Sequence, residues 1–283
     1  MFNPLSVVAS RSRRRWFYPM LSVMVALGLL LSPMSYSAKA LPWDRLLFQG
    51  FQILQLSNIS DRQEVQLGQQ INDQLVGSQV RLYRNARINR YVDQIGQRLA
   101  AVSDRPNLPY TFQVVRDDNI NAFATMGGFV YVTTGLLSTV DNEAQLASVI
   151  GHEIAHITDR DALKQMRQAA VTRGIATAAG VDTNRLVNLG VEFALKRPGS
   201  RSDELEADQR SLQMLAKAGY PQAALIAFLE KLLDQASPPS FLSTHPATRD
   251  RITAIQRLID PKNANTGYGL DEQAYKSAIQ PLR

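Results

Sequence analysis

Along most of the chain, apolar residues recur every three or four positions, the spacing of one helical face. Ile88, Val92, Ile95 and Leu99 are a clear instance. This period predicts helices over 61–76, 86–102, 142–159, 162–179, 184–195, 201–218, 222–233 and 247–259. Gly219 stands where the 201–218 helix needs a C-cap, and Pro221 suits the first turn of the next. The 162–179 helix is weakened by glycine. The period shortens to two over 110–116, which reads as a strand. Residues 123–124 and 129–133 read as two more, joined through Met126-Gly127-Gly128 as a hairpin. The expected fold is therefore α+β: mainly helical, with a small antiparallel sheet of three or four strands. The last 20 or so residues are polar and are expected to wrap or fray, leaving a domain over 61–260 and a tail over 261–283.

The first 40 residues follow a different pattern. Arg11, Arg13, Arg14 and Arg15 precede an apolar run over 16–31, and Ala38-Lys39-Ala40 follows. A basic start, a short apolar stretch and an A-x-A site make a secretory signal peptide cleaved after Ala40, with an uncleaved membrane anchor as the alternative. The protein is then exported: periplasmic, or anchored facing the periplasm. Residues 41–60 are apolar and aromatic without a clear period, suited to packing on the domain or lying at a membrane surface. No later run is apolar enough to span a bilayer, because Arg173 and Asp182 interrupt the best candidate.

Location also settles what the net charge of +6 means. Five of the six excess positive charges lie in the leader, so the body is nearly neutral and nothing points to nucleic acid. Cysteine is absent, which excludes disulfide scaffolds, iron–sulfur clusters and thiol catalysis. The oligomeric state is not specified by any feature of the chain.

The chemistry sits in the 142–159 helix. His152-Glu153-Ile154-Ala155-His156 matches HExxH. Residues i and i+4 lie one above the other on a helix, so His152 and His156 can hold one Zn²⁺. Glu153, one position round, can serve as general base. The helix is apolar almost all round, with Gln145, Ser148, His152 and His156 as a polar seam, so these imidazoles are buried and need partners. Glu153-x-x-His156 is also half of a di-iron bundle motif, but the remaining histidine, His245, has Leu242 three residues before it rather than a second glutamate.

A catalytic zinc takes a third protein ligand, and the 201–218 helix offers carboxylates. With Glu204 at the origin of a wheel of about 100° per residue, Asp208, Leu212 and Leu215 fall within about 80°, while Glu206, Gln209, Arg210, Gln213 and Lys217 lie opposite. Glu204 and Asp208 thus point inward with the leucines. Glu204 as ligand, and Asp208 as acceptor for a ligand imidazole, satisfies both. A solvated acidic helix start explains Asp203 but not Asp208.

HEIAH together with Ser200-Arg201-Ser202-Asp203-Glu204-Leu205-Glu206-Ala207-Asp208 resembles the HtpX-like and CAAX-prenyl-protease-like gluzincin metallopeptidases. Asn121-Ala122-Phe123-Ala124 with Gly127-Gly128, Val130-x-Val132-x-x-Gly135-Leu136, Ala218-Gly219-Tyr220-Pro221, and His245-Pro246 with Arg251-Ile252 extend the likeness over roughly residues 62–260. Neither the membrane helices of HtpX-type members nor a C-terminal tetratricopeptide domain is expected of this chain. It is similar instead to the minimal exported branch, LoiP-like or like the catalytic part of BepA. The resemblance implies a zincin-like domain, Glu204 as third ligand, and His245 near the metal. His245 is then an oxyanion donor, a fourth ligand that keeps the enzyme latent, or a structural residue at a helix start. Arg251 is expected to pair with a cleft carboxylate or to fix the His245 loop.

The implied activity is a zinc-dependent endopeptidase, one Zn²⁺ per chain, acting on unfolded or misassembled envelope proteins. An extended substrate is expected to add to an edge strand at Phe129, Val130, Tyr131 and Val132. Residues 162–200 are a candidate lid. The alternative function is a non-proteolytic, zinc-containing assembly factor or scaffold of the cell envelope.

Overall fold

The computed structural model describes residues 59–173, 176–177, 180–181, 183–196, 199–246, 249–262 and 264–282. The expected export signal and the segment before Ile59 lie outside the described residues. Among the described residues, no helix is long and apolar enough to cross a membrane.

Helix α1 (Asp61–Gln74) starts where Ser60 and Gln63 cap each other reciprocally. It runs into a short π-helical turn at Leu75–Gln79. Helix α2 (Ala86–Ala100) starts at Asn85, whose side-chain oxygen accepts from the Arg87 and Ile88 N–H groups. The face predicted from periodicity, Ile88, Val92, Ile95 and Leu99, is buried.

Three strands follow: β1 (Thr111–Val115), β2 (Ala122–Thr125) and β3 (Phe129–Thr133). Their order is β1-β3-β2, with β3 parallel to β1 and antiparallel to β2. The sheet is mixed, not wholly antiparallel as expected. The β2–β3 hairpin forms at Met126–Gly128, but β3 then inserts between β2 and β1. Every residue of β3 is buried, as suits an unbroken apolar run covered on all sides. Gly127 and Gly128 turn the hairpin with φ of 79° and 102°. The turn lies hard against α1: a Cβ on Gly68 would sit 2.2 Å from the Met126 carbonyl oxygen. On the other side of the sheet, residues 81–83 bond to β1, with Tyr83 N–H donating to Val114 O at 2.7 Å. Among the described residues, no strand pairs with the outer edge of β2.

A short α3 (Thr134–Thr139) leads to α4 (Glu143–Thr158), which carries the HExxH motif. Every residue from Ala144 to Ala155 is buried. Burying Leu146, Val149, Ile150 and Ile154 contributes on the order of 6–12 kcal/mol as an upper estimate, enough to hold a helix that also buries a polar seam. α4 packs most extensively on α7 (Arg201–Ala218) and also touches α2, α8 (Ala223–Leu233) and β2.

Between α4 and α7 lie α5 (Asp161–Arg173), a minimal hairpin of β4 (Ala176–Thr177) and β5 (Gly180–Val181), and α6 (Thr183–Lys196). The helix expected over 162–179 is described over Asp161–Arg173, and Ala176–Thr177, within its expected span, is strand. α7 begins with a Ser200–Asp203 capping box and ends on Gly219 at φ 79°. The one-turn α9 (Phe241–Thr244) and α10 (Arg249–Leu258) flank His245.

The C-terminal residues wrap. α11 (Glu272–Ala278) buries Tyr275, whose hydroxyl donates to Leu137 O at 2.7 Å. The Gly269 carbonyl accepts from Ala144 N–H at 3.0 Å and so caps the first turn of α4. Residues 264–282 therefore belong to the domain expected to end near 260.

Candidate metal centre

The crossing of α4 and α7 is made of small residues. A Cβ on Gly151 would lie 3.0 Å from Ser211 Oγ, and Ser211 Oγ donates to Ser148 O at 3.1 Å. Ala207 and Ala155 are fully buried nearby. This close approach lets Glu204 and Asp208 of α7 reach the imidazoles of α4.

Four side chains converge: His152, His156, Glu204 and His245, each offering one donor atom within 4.8 Å of the others. His152 Nε2 lies 3.1 Å from His156 Nε2, 3.4 Å from His245 Nδ1 and 3.4 Å from Glu204 Oε2. Glu204 Oε1 lies 3.6 Å from His156 Nε2 and 3.2 Å from His245 Nδ1. Ligands tetrahedrally placed about 2.0–2.2 Å from a metal are about 3.3–3.6 Å apart. The donor set therefore fits a small four-coordinate cation such as zinc.

The surrounding polar groups match. His152 Nδ1 lies 3.1 Å from Asp208 Oδ1, and His156 Nδ1 lies 2.8 Å from Asp161 Oδ2. Arg251, 2% exposed, grips Asp208 with two bonds of 2.7 and 2.8 Å. Its Nη1 donates to Glu204 Oε2 at 2.8 Å and to Pro246 O at 3.0 Å. Arg251 thus bonds two cleft carboxylates and the carbonyl of the residue after His245. Glu153 is 1% exposed. Among the described residues its Oε1 has no hydrogen-bond partner, lying 3.4 Å from His245 Nε2 outside bonding geometry.

Electrostatics point the same way. Burial alone would push the His152 imidazolium down, but Asp208 and Glu204 outweigh it and raise the pKa to about 9. Burial opposes ionisation of Glu204, yet His245 and His152 hold it well below the usual carboxylate range. Asp208 is lowered against burial by His152 and Arg251.

The wheel orientation of α7 holds. Glu204 and Asp208 are buried, Glu206 is exposed, and Asp203 closes the capping box. The proposed substrate edge does not hold. Phe129, Val130, Tyr131 and Val132 lie on β3, paired on both sides and buried, so no backbone there is free to add a strand. The outer edge is β2, and Phe123, Ala124 and Thr125 of β2 line a cleft that opens onto Glu153, His156, Glu204 and His245. Phe193 and Ala194 of α6 also line it. Residues of the candidate lid thus line the cleft. Asp161 escaped sequence reasoning. Its only signal was an acid just past the end of a metal-binding helix.

Comparison with known proteins agrees with this geometry. The profile of peptidase family M48 matches residues 86–259. The chain is 38% identical over 184 residues to the putative beta-barrel assembly-enhancing protease of Vibrio cholerae, covering 59% of this chain and 38% of that protein. It is 35% identical over 213 residues to the beta-barrel assembly-enhancing protease of Escherichia coli K12, covering 69% of this chain and 44% of that protein. It is 31% identical over 195 residues to the mitochondrial metalloendopeptidase OMA1 of Danio rerio, covering 62% and 41%. The chain thus spans less than half the length of these three relatives. From the donor set, the fold around it and a match across most of the domain, the chain belongs to peptidase family M48.

Proposed function

We propose that this protein is a zinc-dependent endopeptidase acting on unfolded or misassembled proteins of the cell envelope. The observation that carries the reading is Glu153 Oε1: a buried carboxylate oxygen without a hydrogen-bond partner among the described residues, beside the donor set of His152, His156, Glu204 and His245. His152, His156 and Glu204 would hold the metal. When bound, zinc supplies a Lewis acid that polarises a carbonyl and makes water acidic near neutral pH. Glu153 accepts the proton of the attacking water at its carboxylate and returns it to the leaving amide nitrogen. Asp208 and Arg251 keep His152 and Glu204 oriented. An extended substrate adds to the outer edge of β2, an edge that reads backbone rather than sequence and so suits unfolded chains. The leader supports export to the periplasm, or anchoring facing it. The envelope role is supported by the names of the bacterial relatives.

His245 supports a further element of the reading. It brings a fourth donor to the set, and closed four-ligand sites are the structural kind. We take it as a latency ligand that must withdraw before substrate enters. The same observation favours the rival, a zinc-containing assembly factor that does not cleave.

The test is cleavage of casein by the full chain, wild type beside Glu153→Gln and His245→Ala. The wild type and Glu153→Gln should each carry about one zinc, because Glu153 is not a ligand. Cleavage that is faster in His245→Ala and absent in Glu153→Gln supports a latent protease. Zinc binding without cleavage in any of the three chains supports the assembly factor. Equal cleavage by wild type and Glu153→Gln would refute the mechanism.

A further inference from the structure

The Asp161–His156 contact is unused by the mechanism above. His156 stands in the last turn of α4, where helices are least constrained. Its side chain is 12% exposed, against 1% for His152, and it faces the cleft. Its Nε2 is turned toward the donor set, so with a metal held there Nδ1 would carry the ring proton. Asp161 Oδ2, 2.8 Å from Nδ1, is placed to accept it. Asp161 is 4% exposed, and its other oxygen accepts from Lys164 Nζ at 2.8 Å.

A single reversal of the chain produces this contact. α4 ends at Thr158, and Arg160 takes a left-handed conformation, φ 58°. Among the described residues it is the only non-glycine residue with positive φ, a conformation that persists when its surroundings enforce it. They do: Arg160 Nε lies 3.0 Å from Glu64 Oε2, its Nη2 pairs with Asp61, and Glu64 is fully buried. Arg105 binds both oxygens of Glu64 and also donates to Ile157 O at 3.2 Å, tying the same clamp to the last turn of α4. The clamp turns the chain back so that Asp161, the first residue of α5, meets the helix it has just left.

We propose that Asp161 is a positioning residue for the metal site, orienting His156 through Nδ1 from a place like that of Asp208, whose Oδ1 lies 3.1 Å from His152 Nδ1. It also joins the metal site to the α5–α6 segment, so displacement of α5 loosens one ligand. The inference rests on the zinc reading of the site, and its test separates the two. Zinc affinity of the full chain is measured by competition with a chelator for wild type, Asp161→Asn and Asp161→Ala, together with the visible spectrum after cobalt loading. Loss of an outer-shell partner to a ligand histidine typically weakens metal binding about 10–100-fold. Asp161→Ala should show a loss in that range and an altered cobalt spectrum. Asp161→Asn, which keeps an acceptor oxygen, should lose several-fold and fall between the other two. Equal affinity in all three chains overturns the proposal and leaves the zinc site standing. Asparagine as weak as alanine also overturns it, because charge rather than the accepted proton then matters. If the alanine chain does not fold, the asparagine chain decides: a several-fold loss supports the proposal, and wild-type affinity overturns it. Failure of the wild type to bind zinc overturns the reading of the site itself.

Discussion

Replacing Arg251 with methionine tests how the site is held together. The guanidinium is 2% exposed and makes three bonds of 2.7–2.8 Å to Glu204 and Asp208. Methionine matches the stem but leaves both carboxylates buried without their cation. Breaking a buried pair by removing one partner costs about 3–5 kcal/mol. Partial relief comes from His152, whose proton, held up to a pKa of about 9, still faces both acids. The metal-free variant should therefore lose about 3–4 kcal/mol, at the lower end of that range. The assay is urea unfolding of the chelator-treated full chain at pH 7, with Arg251→Lys alongside to keep the charge but lose the fork. In a folded unit of this size the loss is a fall in midpoint temperature of about 6–16 °C. The deficit has a direction in pH. Glu204 and Asp208 have folded pKa values depressed below their unfolded ones, so their contribution is present above the unfolded values and fades as pH falls. The gap between variant and wild type should therefore narrow below about pH 4. A loss under about 1 kcal/mol, the scale of an exposed ion pair, would refute the claim that Arg251 is the internal counter-charge of the site.

Two further predictions follow from named contacts. With His152 raised to about 9, zinc must displace a proton at neutral pH, so affinity should climb by up to about tenfold per unit between pH 7 and 9; a flat competition titration over that range would contradict it. The sign reverses for the metal-free fold: a raised histidine stabilises fully below its unfolded value near 6.5 and loses that contribution as pH rises through about 9. Gly68→Ala would push a Cβ within 2.2 Å of the Met126 carbonyl and should cost about 1–3 kcal/mol in urea unfolding, the scale of an overpacked core. Wild-type stability would mean that the β2–β3 turn moves freely away from α1.

What could be read from the sequence was what local periodicity controls. The inward turn of Glu204 and Asp208 follows from helical spacing alone, and the two histidines of α4 from being four apart. The existence of β3 was visible in Phe129, Val130, Tyr131 and Val132, but its place was not: it was expected at a sheet edge and lies in the middle. The Gly127-Gly128 hairpin drew attention to β2–β3 pairing and hid the insertion beside β1. Asp161 was out of reach because its position depends on one left-handed arginine held by a glutamate far back in the chain. The cap on α4 was out of reach for another reason: its donor and acceptor are backbone groups of Ala144 and Gly269, which carry no side-chain identity.

That cap gives the site an order in time. A chain emerging from the ribosome or from a membrane pore presents α4, with both histidines and Glu153, long before Gly269 and Tyr275 arrive. Until then the first turn of α4 lacks its acceptor and the Leu137 carbonyl its hydroxyl donor. The helix that carries His152, Glu153 and His156 therefore gains one partner of its first turn only when the C-terminal residues arrive.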